Sequence, residues 1–158
     1  MKHFMKIAIP VFVVGFLAGN AFWYLFSPLW IDREVSEALP AELMLTSIRS
    51  GEFRDADSTH RGSGKAAILQ GAAGTTLLRM TEFQVTNGPD LEVWLVKADD
   101  PKSSDDVKAS EWISLGALKG NIGDQTYVIP QGTKIEEFGS VVIWCEQFGV
   151  LFSPATLK

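Results

Sequence analysis

The chain is poor in cysteine, histidine and basic charge, and each shortage closes off a class of function. Of its 158 residues one is cysteine, Cys145. No internal disulfide forms, and there is neither a Cys-x-x-Cys zinc pair nor a Cys-x-x-Cys-His haem attachment. There are two histidines. His3 precedes the first apolar run, so His60 stands alone in the rest of the chain and a multi-histidine metal site within one chain is excluded. Lys2 and Lys6 are the only charged side chains before Ile31; the remainder carries 12 basic residues against 19 acidic ones, a net of −7. So acidic a segment has no electrostatic footprint for nucleic acid, and an anionic membrane surface repels it. Its partners are expected to be basic or neutral. There is no Gly-x-Ser-x-Gly, and Gly120-Asn-Ile-Gly123 lacks the Lys-Ser/Thr that a phosphate loop requires. No constellation for a stand-alone enzyme emerges.

Charge is absent altogether from Ile7 to Trp30, IAIPVFVVGFLAGNAFWYLFSPLW. A helix needs about 20 apolar residues to cross the hydrocarbon core. Lys2 and Lys6 before the run place the N-terminus in the cytoplasm, and Trp23, Tyr24 and Trp30 suit the far interface. The competing reading is a cleaved signal peptide cut near Gly19-Asn-Ala21. Phe-Trp-Tyr-Leu-Phe and Leu29 continue past that point, which suits an uncleaved anchor. The expected layout is a cytoplasmic 1–6, a transmembrane helix over 7–30, a connector over 31–49 and a periplasmic or extracellular domain over 50–158. Gly15 and Gly19 form a small-xxx-small pair through which two helices would make a homodimer, with Asn20 hydrogen-bonding across; the plainer reading is that glycine is common in membrane helices.

The connector reads as two short helices, Glu34 to Leu39 and Ala41 to Ile48, broken at Pro40. From Gly51 the pattern becomes short β-type runs between turn signals. The runs are 66–69, 75–85, 91–96, 112–115, 126–129, 141–145 and 151–152, with turns at Gly71-Ala-Ala-Gly74, Asn87-Gly88-Pro89 and Gly120 to Gly123. Leu77, Arg79, Thr81 and Phe83 are expected on one face of the second run. About seven short strands at this spacing predict an all-β fold, an antiparallel sandwich or small barrel.

Cys145 ends an apolar strand and shares a face with Val141 and Ile143. Reactivity needs thiolate, yet Glu146 adjoins it and no Lys or Arg lies within ten residues in sequence. A small buried hydrophobe is the plain reading; a cation reaching it through space, Arg61 or His60, would favour a redox role. His60 lies in Ser58-Thr-His-Arg-Gly62, where it is either a hydrogen-bonded strand-end histidine or a ligand to a metal or haem iron. His60 and Cys145 sharing one ligand is the sharpest hypothesis. Asp90, after Gly88-Pro89, is expected to hold backbone amides of its turn, with metal binding or acid–base work as the alternatives. Asp99 to Asp106 reads as a solvated acidic loop without EF-hand spacing. Trp94, Trp112, Trp144, Phe83, Phe148 and Tyr127 are assigned mainly to core packing, an exposed Trp94 or Trp112 marking a partner surface.

Several pieces in order resemble the DM-thirteen domain family. They are Gly51-Glu-Phe53, His60 followed by Gly64, Asn87-Gly88-Pro89-Asp90-Leu91-Glu-Val-Trp-Leu95, Leu115-Gly116 through Pro130, and Ser140-Val-Val-Ile-Trp144-Cys145-Glu-Gln-Phe148 with the tail to Leu157. The resemblance implies an extracytoplasmic electron-transfer module whose cysteine is redox-active, as a free thiol or by holding a prosthetic group such as haem. The leading reading takes Cys145 as the redox or ligating group and His60 as its helper, with Gly88, Pro89, Asp90 and Trp144 as structural motif residues. The alternative from another class is a binding or scaffolding module that does no chemistry.

Overall fold

The computed structural model describes residues 2–27, 30–39, 44–71 and 74–158. The expected break at Pro40, the residues Ala41 to Leu43, Pro28, Leu29 and the middle of the Gly71-to-Gly74 turn lie outside the described residues. The chain forms two units, Met1–Ile31 and Asp32–Lys158.

The first unit is one helix, α1, Lys2–Phe26. Its stretch Phe4–Tyr24 is long and apolar enough to cross a membrane and is 0% buried. Water would penalise such a surface and lipid would not. The Asn20 amide donates to the Phe16 carbonyl at 2.8 Å, so one of its donors is spent within the helix.

Among the described residues the second unit holds nine strands: β1 Glu34–Ser36, β2 Thr46–Glu52, β3 Gly62–Gln70, β4 Thr76–Val85, β5 Leu91–Val96, β6 Trp112–Ala117, β7 Ile122–Val128, β8 Ser140–Cys145 and β9 Val150–Thr156, with a short helix α2, Ser104–Lys108, between β5 and β6. They make a five-stranded sheet, β1-β7-β4-β3-β2, facing a four-stranded sheet, β6-β5-β8-β9. Every pairing is antiparallel except β1 on β7. The seven runs read from the sequence are β3 to β9.

The expected connector is the main correction. Glu34 to Ser36 is a strand rather than helix, and Ser47 and Ile48 lie in β2. The reason is tertiary pairing, which overrides weak local preference. β2 lies along β3, and its far end exchanges Ser50–Lys158 backbone bonds of 3.0 and 2.9 Å with the C-terminus. The Arg49 guanidinium also donates to the carbonyls of Ile135, Phe138 and Leu157.

The main core lies between the sheets. Ile68, Leu78, Met80 and Phe83 from one side meet Val93, Leu95, Val141 and Ile143 from the other. Along β4 the expected face was wrong past Thr81. Leu78 and Met80 point inward, and Phe83 and Val85 join them because the register shifts at a bulge where Glu82 takes φ 52. Opposite it, Gly64 takes φ 109, and a Cβ there would stand 2.6 Å from the Phe83 Cα. β8 is buried on both faces, which explains its near-continuous apolar sequence. Its outward residues Val142 and Trp144 join Trp94, Val107 and Leu151 in a second cluster.

Candidate functional site

Cys145 is the last residue of β8, paired with Leu91 on one side and Val150 on the other. The strand's alternation turns it inward with Val141 and Ile143, and it is 0% exposed. Its thiol donates to the Pro89 carbonyl at 3.0 Å. The turn Gly88-Pro89-Asp90 is held over it by the Glu146 amide, which donates to the Asp90 carbonyl at 3.0 Å. Burial pushes the thiol pKa up, and the charges of Asp90 and Glu146 add to the rise against the backbone amides of Phe148 and Gln147. This is a thiol kept as thiol. Among the described residues, neither Arg61 nor His60 makes a hydrogen bond to it.

His60 is fixed by a residue the sequence reading passed over. Asp57 Oδ1 accepts from the amides of Thr59 and His60, at 2.7 and 2.8 Å. Asp57 Oδ2 lies 2.7 Å from His60 Nδ1. That histidine bond, with the two amides, lowers the Asp57 pKa to about 2. The carboxylate is therefore an acceptor at neutral pH, Nδ1 carries the proton, and Nε2 is the nitrogen left for other partners. The ring sits 4.3 Å from the Phe152 ring. Asp57 was legible as an Asx-type turn three residues before the histidine.

Phe152 links the two candidates. The Gly88 Cα faces its ring so closely that a Cβ would stand 2.6 Å from Cε1 and Cζ. Contacts thus run from His60 through Phe152 and Gly88 to Pro89, whose carbonyl holds Cys145. The fold brings the pair to one end of the sandwich, joined by packing through Phe152 and Gly88. Haem ligated through Cys145 does not fit this arrangement. An iron would need the Cys145 thiolate, whereas the sulfur is sealed, hydrogen-bonded and disfavoured as an anion. Among the described residues no three His, Cys, Asp or Glu side chains cluster as a metal site.

The remaining expectations divide. Gly88 and Pro89 form the cover over the thiol. Among the described residues the Asp90 side chain accepts from no amide; Asp90 is exposed, and its φ of 51 is the conformation that Asp and Asn tolerate best after glycine. The Asp99-to-Asp106 loop is structured. Ser103 and Asp106 form a capping box on α2, and Asp100 pairs with Arg54 and Lys102, which hold its carboxyl well below the usual range.

Trp144 faces away from Cys145 and forms part of an unexpected array. Trp94 stacks on Trp112 at 3.8 Å and 7° and on Trp144 at 5.1 Å and 29°. Trp94 and Trp144 are 3% exposed, Trp112 44%. Trp94 Nε1 and Ser114 Oγ both donate to Glu92 Oε2 at 2.7 Å. The signal was parity: Trp94 and Trp144 alternate with the inward residues of β5 and β8.

One cleft of about 420 Å³ is lined by Asp32, Asp55, Arg61, Gln84, Asn87 and Asn121 among others. A second, of about 410 Å³, is lined by Glu52, Arg54, Asp100, Lys102, Thr156 and Lys158 among others. Neither is lined by Cys145 or His60.

The chain matches no curated protein and no solved structure. Residues 52–157 match the family described as Electron transfer DM13, a span from the end of β2 through β9 that contains His60, the Gly88-Pro89 turn, the tryptophan array and Cys145. That match covers well over half of the sequence, and the chain belongs to the electron transfer DM13 family.

Proposed function

We propose that this protein is an electron-transfer module anchored in the membrane by α1, with its β-domain outside the cytoplasm and Cys145 as its redox residue. The observation that carries the reading is the family match across nearly the whole β-domain. The anchor rests on the apolar length of Phe4–Tyr24, and the orientation on Lys2 and Lys6 before it. The sealed Cys145 sharpens the reading. Thiol–disulfide exchange needs sulfur to attack sulfur directly. A thiol at 0% exposure on a carbonyl is closed to that route while the Gly88-Pro89 turn stays shut, so redox exchange at Cys145 requires that turn to open.

Film voltammetry of the full-length chain in a supported lipid layer tests this. A reversible wave that shifts or disappears in Cys145→Ser supports the reading. A chain with no wave, folded and oriented, removes it. Supplying haem during export should leave the spectrum that of protein alone. Alkaline phosphatase fused after Lys158 should be active, as it is only outside the cytoplasm.

A second reading has its own observations. Trp112 presents a half-exposed ring backed by Trp94, and the Cys145 thiol is closed off. Both suit a binding module that tethers a partner at the envelope without chemistry. Under that reading Trp112→Ala abolishes partner capture and no voltammetric wave exists.

A further inference from the structure

We propose that Trp112, Trp94 and Trp144 form a one-electron relay, with Trp94 and Glu92 as its proton-coupled oxidation site. This rests on the electron-transfer reading above and adds a place at the surface where the charge is held, on the face of β8 opposite the sealed Cys145.

The three rings lie on the outer face of the four-stranded sheet, on neighbouring strands β6, β5 and β8. Val96 pairs with Trp112 and Glu92 with Trp144, so Trp94 meets both rings diagonally. The array is graded from a ring 44% exposed to rings 3% exposed. At 3.8 Å and 7° the Trp112 and Trp94 rings overlap face to face, which spreads a missing electron over two indoles. The inner end reaches Trp144, the covalent neighbour of Cys145.

Packing alone asks less of Trp94 than it has. A buried indole N–H needs one acceptor, and a backbone carbonyl would serve. Here the acceptor is a carboxylate at 2.7 Å, itself positioned by the Ser114 hydroxyl. A carboxylate also takes the proton that an oxidised indole releases. At the far end, Lys108 Nζ stands 5.9 Å over the Trp144 ring, and a cation there opposes loss of an electron. The vacancy is held at Trp94 and Trp112.

A one-electron acceptor of high potential, in contact with Trp112, takes one electron from the stack. Trp94 Nε1 passes its proton to Glu92 Oε2, leaving a neutral indolyl radical beside a protonated carboxyl. A one-electron donor at Trp112 reverses both movements.

The experiment uses the full-length chain with Trp23→Phe and Trp30→Phe, which leaves these three of its five tryptophans. Photogenerated tris(bipyridine)ruthenium(III) is the oxidant, and transient absorption distinguishes the indole radical cation from the neutral radical. The parent should give the neutral radical. Glu92→Gln should prolong the radical cation several-fold, and Trp112→Phe should lower the radical yield several-fold, both with unchanged circular dichroism. Equal deprotonation rates in parent and Glu92→Gln, or an undiminished yield in Trp112→Phe, would overturn the relay. A failed relay in a chain that still gives a voltammetric wave leaves the electron-transfer reading standing. A working relay in a chain without a wave removes that reading and leaves an oxidisable array.

Discussion

Trp144 and Cys145 are adjacent on β8 and face opposite ways: the thiol points between the sheets to the Pro89 carbonyl, and the indole lies outside, stacked on Trp94. One strand thus carries the residue that the family resemblance singles out and the end of an aromatic array that reaches the surface. Backbone alternation separates the two environments completely, since successive side chains of a strand leave on opposite faces. The consequences for Cys145 are chemical. A sealed thiol whose pKa is raised by burial reacts only when the turn over it opens.

The first expectation follows directly. With a small aromatic disulfide reagent at neutral pH, native Cys145 should react at least about 100-fold more slowly than in denaturant, because reaction waits on transient opening. Chain labelled equally fast in both states would show that the Pro89 turn does not cover the sulfur.

Gly88 controls that cover. Its missing Cβ leaves room for the buried Phe152 ring, which is packed against His60 and has little freedom to move. Gly88→Ala should cost about 1–3 kcal/mol, the usual penalty of overpacking, seen as a lower urea midpoint with an unchanged slope. It should also speed labelling of Cys145. An alanine variant with wild-type stability and a protected thiol would show that Phe152 yields without disturbing the turn.

Most of this arrangement is legible in the sequence, and the exceptions have physical causes. The strands β3 to β9 were legible because each buries an apolar face between turn residues. β2 was not, because Thr-Ser-Ile-Arg-Ser-Gly-Glu has no apolar alternation; it is held by β3, by the C-terminal tail and by the three carbonyls on Arg49. The face of β4 failed at Glu82, where a bulge resets the period of two. Burial of Cys145 followed from the apolar run that precedes it. The meeting of His60, Phe152 and Gly88 did not, since residues so far apart in sequence share no local pattern. The tryptophan stack was hidden differently. Each ring was visible, but which rings share a face depends on the register of three strands.

Asp57 and His60 give the end of the sandwich a pH dependence. The folded carboxyl titrates at about 2, against an ordinary 3.8 when unfolded. A depressed carboxyl stabilises the fold above the unfolded value and ceases to do so as pH falls through the folded one. The difference in unfolding free energy between the parent and Asp57→Asn should therefore shrink as pH falls from about 4 to about 2. Comparing the two proteins cancels the other carboxyls that titrate in that range. A difference that stays constant down to pH 2 would mean that the His60 contact does not hold the charge.

Tyr127 allows a test at the opposite end of the pH scale. Its hydroxyl donates to the buried Gln125 Oε1 at 2.9 Å and accepts from the Lys119 amide at 3.0 Å. Burial pushes its pKa up to about 12 from an ordinary 10.0. Only Tyr24 shares the tyrosine signal, so a full-length Tyr24→Phe chain reports Tyr127 alone. Its ultraviolet titration should show phenolate appearing near pH 12 while folded and near pH 10 in denaturant. The sign for stability follows: the folded state holds the phenolic proton where the unfolded state has lost it, so unfolding becomes easier as pH rises from 10 towards 12. Tyr127→Phe should remove that alkaline slope while lowering stability at neutral pH by about 1–2 kcal/mol, because Gln125 and the Lys119 amide each lose a partner. A phenol that titrates near 10 in the folded chain would place Tyr127 in contact with water and open the core at β7.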